Sequence, residues 1–150
     1  MSQSHFTLSF PLKSPADAKA VAQELPPLMP DLFRAEDAIG TVHYSRFTVL
    51  SDRTLLFLAD FDRDFGPLML ELARRAGPVF DVISKHVKDP PSGPVANNAD
   101  AFVEWAAGHL LHPAYVYSAY PAPTAKEIKA MAAANVEGRS LLLPLPAVGM

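Results

Sequence analysis

The chain has 150 residues, 49% of them hydrophobic and 19% charged, with a formal net charge of -3 and a pI near 5.9. That length and apolar content predict one folded domain rather than a disordered tail, and the acidic balance argues against a nucleic-acid partner. The chain has no cysteine, which excludes disulfides, thiolate nucleophiles and cysteine-ligated clusters. Its N-terminus lacks a secretory pattern and no stretch reaches the roughly 20 apolar residues of a membrane span, so we expect a cytoplasmic protein without membrane contact.

The first part of the chain predicts a strand followed by two helical segments. Residues 5–12 alternate apolar and polar side chains with the period of a strand. Ser14 and Pro15 then suit a helix start, because serine accepts a free backbone N–H and proline tolerates the first turn. Closely spaced prolines must interrupt that helix, and a second helical piece is expected before Gly40.

Residues 41–62 predict a β-hairpin, which is the most informative pattern in the chain. Two strand-like runs flank turn residues at 51–53. Helical patterns lie on both sides of the hairpin. Asp62 or Asp64 is expected to cap the helix that follows it.

The second half predicts more helices and one further strand. A helix with an inward apolar face is expected to stop at Gly77, and a shorter one follows it. Residues 88–98 are rich in proline and predict a surface loop. Residues 99–111 predict a helix, and residues 114–120 predict the last strand of the sheet.

The C-terminal region predicts a helix and then an apolar tail. Thr124 and Glu127 have capping-box spacing, which indicates a helix that ends near Gly138. Residues 141–150 are apolar but contain prolines, so we expect them to pack along their own domain or on a partner.

The order of these elements favours an α+β fold of the ferredoxin-like, split βαβ type. This arrangement has a four-stranded antiparallel sheet with helices on one face, here with extra helices inserted before the last strand. Residues 1–140 form the expected domain, and residues 141–150 form its tail. The other sheet face must also be covered, and dimerisation is the expected means.

The stretches Val42-His43-Tyr44-Ser45-Arg46-Phe47 and 55–62 resemble members of the dimeric α/β barrel superfamily. The resemblance implies a homodimer whose two sheets enclose a barrel-like space. Its members include cofactor-free monooxygenases and heme-binding enzymes, so heme is a cofactor that the resemblance implies. The inserted helices depart from the minimal pattern, and no binding residue is carried over from the family.

His43 and Arg46 are the leading site residues of the hairpin. Strand parity places them on opposite faces unless a β-bulge intervenes. His43 is either a general base or heme or metal ligand, or a hydrogen-bonded interface residue. Arg46 either binds a carboxylate or pairs with Asp60 on the neighbouring strand.

Tyr115 and Tyr117 are expected on one face of the last strand, where they would line a pocket for an apolar or aromatic ligand or form an interface. Two patterns suggest metal but are incomplete, and we predict no metal site. The acids at residues 60–64 imitate a calcium loop but have Phe65 where glycine is required. His109 and His112 lack further ligands.

Two functions follow from these residues. The first is a homodimeric ferredoxin-like protein that binds a small apolar or aromatic ligand, as a heme-binding or cofactor-free oxidoreductase. Its ligand-binding residues would be His43, Arg46, Tyr115 and Tyr117. The alternative is a non-enzymatic protein-interaction or regulatory module, and the sequence leaves open whether the protein is an enzyme.

Overall fold

The computed structural model describes residues 3–137. The fold is α+β. Its strands are β1 (Gln3–Pro11), β2 (Val42–Leu50), β3 (Thr54–Asp62) and β4 (Leu110–Leu111). Its helices are α1 (Pro15–Glu24), α2 (Met29–Ile39), α3 (Phe65–Arg75), α4 (Gly77–His86), α5 (Ala99–Ala107) and α6 (Ala125–Glu137), with 3-10 turns at Pro26–Leu28 and Val95–Asn97.

The strands form one four-stranded antiparallel sheet in the order β2-β3-β1-β4. β1 pairs with β3 along its whole length, from Gln3 opposite Asp62 to Pro11 opposite Thr54. β2 and β3 form the predicted hairpin. β4 contributes only two residues, opposite Thr7 and Leu8, so β1 is an inner strand although it comes first in the chain.

One face of the sheet packs on the helices. Alternate residues of β1 and β3 are buried there because side chains in a strand point to opposite faces in turn. These residues are Phe6, Leu8, Phe10, Leu55, Phe57, Ala59 and Phe61. Helix α3 packs against α2 and α5, and α4 packs against α1. The ring of Phe57 stacks on Phe47 of β2 at a centroid distance of 4.2 Å, which joins the edge strand to the core.

Helix α1 begins at the predicted cap. Ser14 Oγ accepts a hydrogen bond from the backbone N–H of Asp17 at 3.2 Å and donates one to Asp17 Oδ2 at 2.6 Å. His86 at the end of α4 then donates from Nδ1 to Asp17 Oδ1 at 2.8 Å and from Nε2 to Glu24 Oε2 at 2.5 Å. The hydrogen bond from Ser14, followed by that from His86, lowers the pKa of Asp17. One histidine therefore ties both ends of α1 to α4.

Gly77 stands at the predicted break between α3 and the next helix, but without the positive φ of a glycine that caps a helix C-terminus. Arg75 is the last residue of α3, Ala76 caps it, and Gly77 is the first residue of α4. Gly77 is buried, and a Cβ at this position would lie 3.0 Å from the Cβ of Ala96 and 3.2 Å from its backbone N. The glycine is therefore needed for a close approach between α4 and the turn at Val95–Asn97, rather than for a helix stop.

The prediction of the last strand is wrong. Helix α5 ends at Ala107, and the last strand is the two-residue β4. Residues 114–120 have no regular secondary structure, and nearly all of them are exposed. Their alternating tyrosines imitate a strand, but this segment has no partner strand in the described sheet.

The capping box at the start of α6 is confirmed. Thr124 Oγ1 accepts from the backbone N–H of Glu127 at 3.1 Å, and Glu127 Oε1 accepts from the backbone N–H of Thr124 at 3.3 Å. The predicted helix end near Gly138 and the apolar tail at residues 141–150 lie outside the described residues. Within residues 3–137, no helix is long and apolar enough to cross a membrane.

Candidate functional site

The sheet face opposite the helices carries a concentration of polar and aromatic side chains. We call this the open face, and its central side chains are His5, Thr7, Tyr44, Arg46, Leu58 and Asp60. They alternate along the strands with the buried residues of the core. Residues 113–120 run beside this face, so that the open face and that segment together line two adjoining, solvent-open cavities.

The first cavity has a volume of about 270 Å³ and contains Arg46, Leu58 and Thr7 in its lining. Pro113, Tyr115 and Val116 cover it from the segment after β4. The second cavity has a volume of about 440 Å³. His43, Tyr117, Tyr120 and the start of α6 line this second cavity. His5, Tyr44 and Asp60 line both cavities and so form the wall that the two cavities share.

A β-bulge changes the position of His43. Val42 lies opposite Phe61 and Tyr44 opposite Asp60, so the register shifts at His43. Because a bulge inserts one residue, it re-aims the side chain there. His43 thereby lines the second cavity together with Tyr44. The prediction places His43 and Arg46 on opposite faces unless a β-bulge intervenes, and that bulge is present.

His43 forms a buried pair with Asp62. Its Nε2 donates to Asp62 Oδ1 at 2.7 Å, and the two side chains are 6% and 4% exposed. Asp62 Oδ2 accepts a second hydrogen bond, at 2.8 Å, from the backbone N–H of Ala125, the first residue of α6. A buried carboxylate requires such donors, and the N-terminus of a helix also favours negative charge.

These contacts correct the predicted cap of α3. Asp62 does bind a helix N-terminus, but it is that of α6 rather than that of the next helix in the chain. Asp64 occupies the N-cap position of α3 without a side-chain hydrogen bond to it. The sequence contains no local signal for the contact with α6, because Asp62 and Ala125 are far apart in the chain.

His5 forms the second imidazole–carboxylate pair. Its Nδ1 donates to Asp60 Oδ1 at 2.7 Å, because Asp60 lies directly opposite His5 in the sheet register. This contact corrects the expected pairing of Asp60 with Arg46. The residue opposite Arg46 is Leu58, and among the side chains described for residues 3–135 no acid forms an ion pair or hydrogen bond with Arg46.

The four predicted ligand-binding residues all line the two cavities, but they do not form one cluster. Arg46 and Tyr115 belong to the first cavity, and His43 and Tyr117 belong to the second. Tyr115 and Tyr117 stay exposed, on a loop instead of a strand. His5, Tyr44 and Asp62 were missed as site residues. The alternation in β1 predicts that His5 lies on the polar face of that strand. Its partner Asp60 can be identified only from the register of β1 against β3.

A half-buried carboxyl group lies beside β2, on the side of the helices. Glu36 of α2 accepts a hydrogen bond from Ser45 Oγ at 2.9 Å. Its other oxygen, Oε1, is buried without a hydrogen-bond partner. Burial raises the pKa of Glu36, with Ser45 opposing part of that effect. Glu36 thus supports β2 through Ser45 and does not line the cavities of the open face.

The patterns that suggested metal form no metal site in the described chain. His109 Nδ1 hydrogen-bonds to the backbone oxygen of Trp105, and Asp60 and Asp62 bind the two histidines of the open face. Among the described side chains of residues 3–135, no group of three or more histidine or acidic residues is placed to hold a metal ion.

Comparison with known proteins gives no family for this fold and site. No protein-family model, no curated protein sequence and no solved structure matches the chain.

Proposed function

We propose that the protein is a homodimeric ferredoxin-like protein that binds a small apolar or aromatic ligand on its open face. One observation carries this proposal: two adjoining cavities share a wall made by His5, Tyr44 and Asp60. Small-molecule sites typically combine apolar and aromatic walls with a few convergent polar groups. The open face has this composition.

The sheet supports the ferredoxin-like part of the proposal. Its order, β2-β3-β1-β4 with antiparallel neighbours, is the order of a split βαβ sheet. In this assignment β3 lies between β1 and β2, and β1 lies between β3 and β4. The additional helices α4 and α5 stand before the last strand, and α6 follows it.

The exposure of the open face supports the dimer. Tyr44, Tyr115, Tyr117 and Tyr120 are each at least 74% exposed in the single chain. Aromatic residues concentrated on one exposed surface are typical of interaction sites. A second copy that covers this face would exclude water from the cavities and so strengthen polar contacts with a ligand.

The two imidazoles define the chemistry of the site. Each donates one N–H to a carboxylate, so its other ring nitrogen is an acceptor when the ring is neutral. An imidazole oriented in this way can act as a general base toward a ligand O–H. This is the role that a cofactor-free oxidoreductase would require of the site.

His43 does not fit the role of a heme ligand. Its Nε2 is held by Asp62 and its side chain is 6% exposed, so one ring nitrogen is already engaged and the other belongs to a nearly buried ring, which leaves little access for a bulky heme. We therefore derive no step through heme. Titration of the purified protein with hemin tests the expectation directly, and a Soret band that persists in His43→Ala would place any heme elsewhere.

Phenol is a suitable first probe because it combines an aromatic ring with one neutral O–H. Saturation-transfer NMR should detect its binding, and His5→Ala should weaken binding by about fivefold, which corresponds to one hydrogen bond of ~1 kcal/mol. His43→Ala and the smaller change His43→Asn should also weaken it. His112→Ala is the matched control, since His112 is exposed and lines neither cavity.

Equal binding of phenol by the parent, His5→Ala and His43→Ala would contradict the site. Sedimentation of the same samples tests the dimer, and a single-chain mass at all concentrations would contradict that part of the proposal. Both variants must retain the circular dichroism spectrum of the parent for the comparison to count.

A second function, a non-enzymatic protein-interaction or regulatory module, is favoured by a different observation. Ile128 and Met131 of α6 are exposed and lie three residues apart, on one side of a helix. Together with Tyr117 and Tyr120 they form an apolar surface suited to a protein partner. Loss of a partner or of self-association in Ile128→Ser/Met131→Ser, with phenol binding absent from the parent, would favour this function.

A further inference from the structure

We propose that the ligand of the first cavity is an aromatic carboxylate, and that Arg46 binds its carboxylate group. This inference rests on the proposed small-molecule function and specifies its ligand class. Arg46 and the His5–Asp60 pair, which line the same cavity, carry this inference together. Arg46 has no acidic partner among the described side chains, because the acid expected to pair with it, Asp60, is bound to His5.

The lack of an acidic partner for Arg46 has a structural cause. The acid expected to pair with it, Asp60, is directly opposite His5 and bonds to its Nδ1 at 2.7 Å. The residue opposite Arg46 is the apolar Leu58. Among the side chains described for residues 3–135, Arg46 is thus left with its planar set of donors free, and that set matches a carboxylate.

The charges of the cavity favour one negative charge on the ligand. Among the described residues, Asp60 is the only acid that lines the first cavity, and its Oδ1 is engaged by His5. Among the described residues that line this cavity, Arg46 is therefore a cation whose charge no acidic side chain balances. A carboxylate supplies a single negative charge, whereas a phosphate monoester carries nearly two and requires additional cations.

The walls of the cavity favour an aromatic body for the same ligand. Leu58 and Val116 offer apolar surface, while Tyr44 and Tyr115 offer two aromatic rings. The volume of about 270 Å³ is at the small end of ligand sites, which suits one ring better than a long chain. Ring substituents can extend past the shared wall into the second cavity.

Benzoate and benzamide make a direct test, because they differ mainly in the charge of the group that would face Arg46. NMR titration should show that the parent binds benzoate at least tenfold more tightly than benzamide, as expected for a charge-assisted hydrogen bond. Arg46→Gln should remove that preference by weakening the binding of benzoate. Arg46→Lys should retain part of it, since lysine keeps the charge but loses the bidentate geometry.

Arg53→Gln is the control, since Arg53 is exposed and lies in the hairpin turn, close to Asp52. It should keep the full preference for benzoate. Arg46 is itself exposed, so Arg46→Gln is expected to fold, and its circular dichroism spectrum verifies this. Added salt should weaken benzoate binding by the parent and have little effect on benzamide.

The possible failures are distinguishable. If the parent binds benzamide and benzoate equally, or if Arg46→Gln keeps the preference, the carboxylate inference is overturned while the aromatic site stands. If neither compound binds and phenol does not bind either, the small-molecule function and the inference both fail.

Discussion

Asp62 accepts a hydrogen bond from the backbone N–H of Ala125 at 2.8 Å, and this contact joins the end of the central hairpin to the start of the last described helix. The other oxygen of the same carboxylate holds His43. The buried carboxylate of Asp62 therefore fixes both the N-terminus of α6 and the imidazole of His43. Its two contacts couple the position of the helix to the geometry of the second cavity.

Asp62→Asn should release α6 and lower the free energy of unfolding by about 1–3 kcal/mol, because an amide has only one acceptor oxygen for two buried donors. Hydrogen exchange at the amide of Ala125 should become faster. Asp64→Asn is a matched control, since Asp64 makes no capping hydrogen bond to α3, and it should change exchange at Ala125 very little. Unchanged exchange in Asp62→Asn would refute the coupling.

Glu36→Gln should stabilise the protein near neutral pH by about 1 kcal/mol, because it removes the charge of a partly desolvated carboxyl group. Burial raises the pKa of Glu36 above 4.5 in the folded protein. The folded state therefore keeps its proton after the unfolded chain has lost it, and stability falls as pH rises from about the unfolded pKa through the folded pKa. Glu36→Gln should remove this part of the pH dependence.

Urea unfolding between pH 4 and pH 8 measures that effect. Glu104→Gln is the control, because Glu104 is exposed on α5, and it should leave the slope of the parent unchanged. A parent whose stability rises steadily through the same interval, with no difference in Glu36→Gln, would contradict the raised pKa.

Ser14→Ala should lower the free energy of unfolding by about 1 kcal/mol, the usual contribution of an N-cap serine. It also removes the hydrogen bond that does most to lower the pKa of Asp17. A lowered pKa stabilises the fold above the unfolded pKa, and that contribution is lost as pH falls through the folded pKa. Ser14→Ala should therefore lose less stability between pH 4 and pH 2 than the parent does. Ser92→Ala, at an exposed loop position, should behave as the parent does in both tests.

Gly77→Ala should destabilise the protein by about 1–3 kcal/mol, as expected for an added methyl group in a closely packed site. The new Cβ would meet Ala96 at 3.0 Å. Gly66→Ala is a matched control within α3, where a Cβ meets nothing within 4 Å, and alanine favours the helix. Thermal unfolding should therefore shift downward for Gly77→Ala and stay level or rise for Gly66→Ala. If Gly66→Ala lowered the unfolding temperature and Gly77→Ala did not, the contact between α4 and Ala96 would accommodate the added methyl group without loss of stability.

The sequence predicts those parts of the fold whose signals are local. The alternation in β1, the turn at residues 51–53 and the serine before α1 each depend on neighbours in the chain. β4 has only two residues, which are too few for a period to be detected. The tyrosines at residues 114–120 have the period of a strand, but a period cannot supply a partner strand.

The candidate site was predictable only in its residue types. The bulge at His43 coincides with a hydrogen bond from the Asp62 N–H to the Thr41 oxygen, and such a tertiary contact has no counterpart in the periodicity. The His5–Asp60 pair likewise depends on the register of β1 against β3. Once this register is known, the expected Arg46–Asp60 pair is replaced and the arginine is left available.

The inner position of β1 has a consequence for the order of folding. The β2–β3 hairpin closes a short turn, whereas β1 must pair with β3 and β4, which lie much farther along the chain. Longer loops cost more chain entropy to close, so contacts of this kind slow folding. We therefore expect the hairpin to assemble early and the insertion of β1 to limit the rate. The strand that comes first in the chain is then the last to be enclosed on both of its edges.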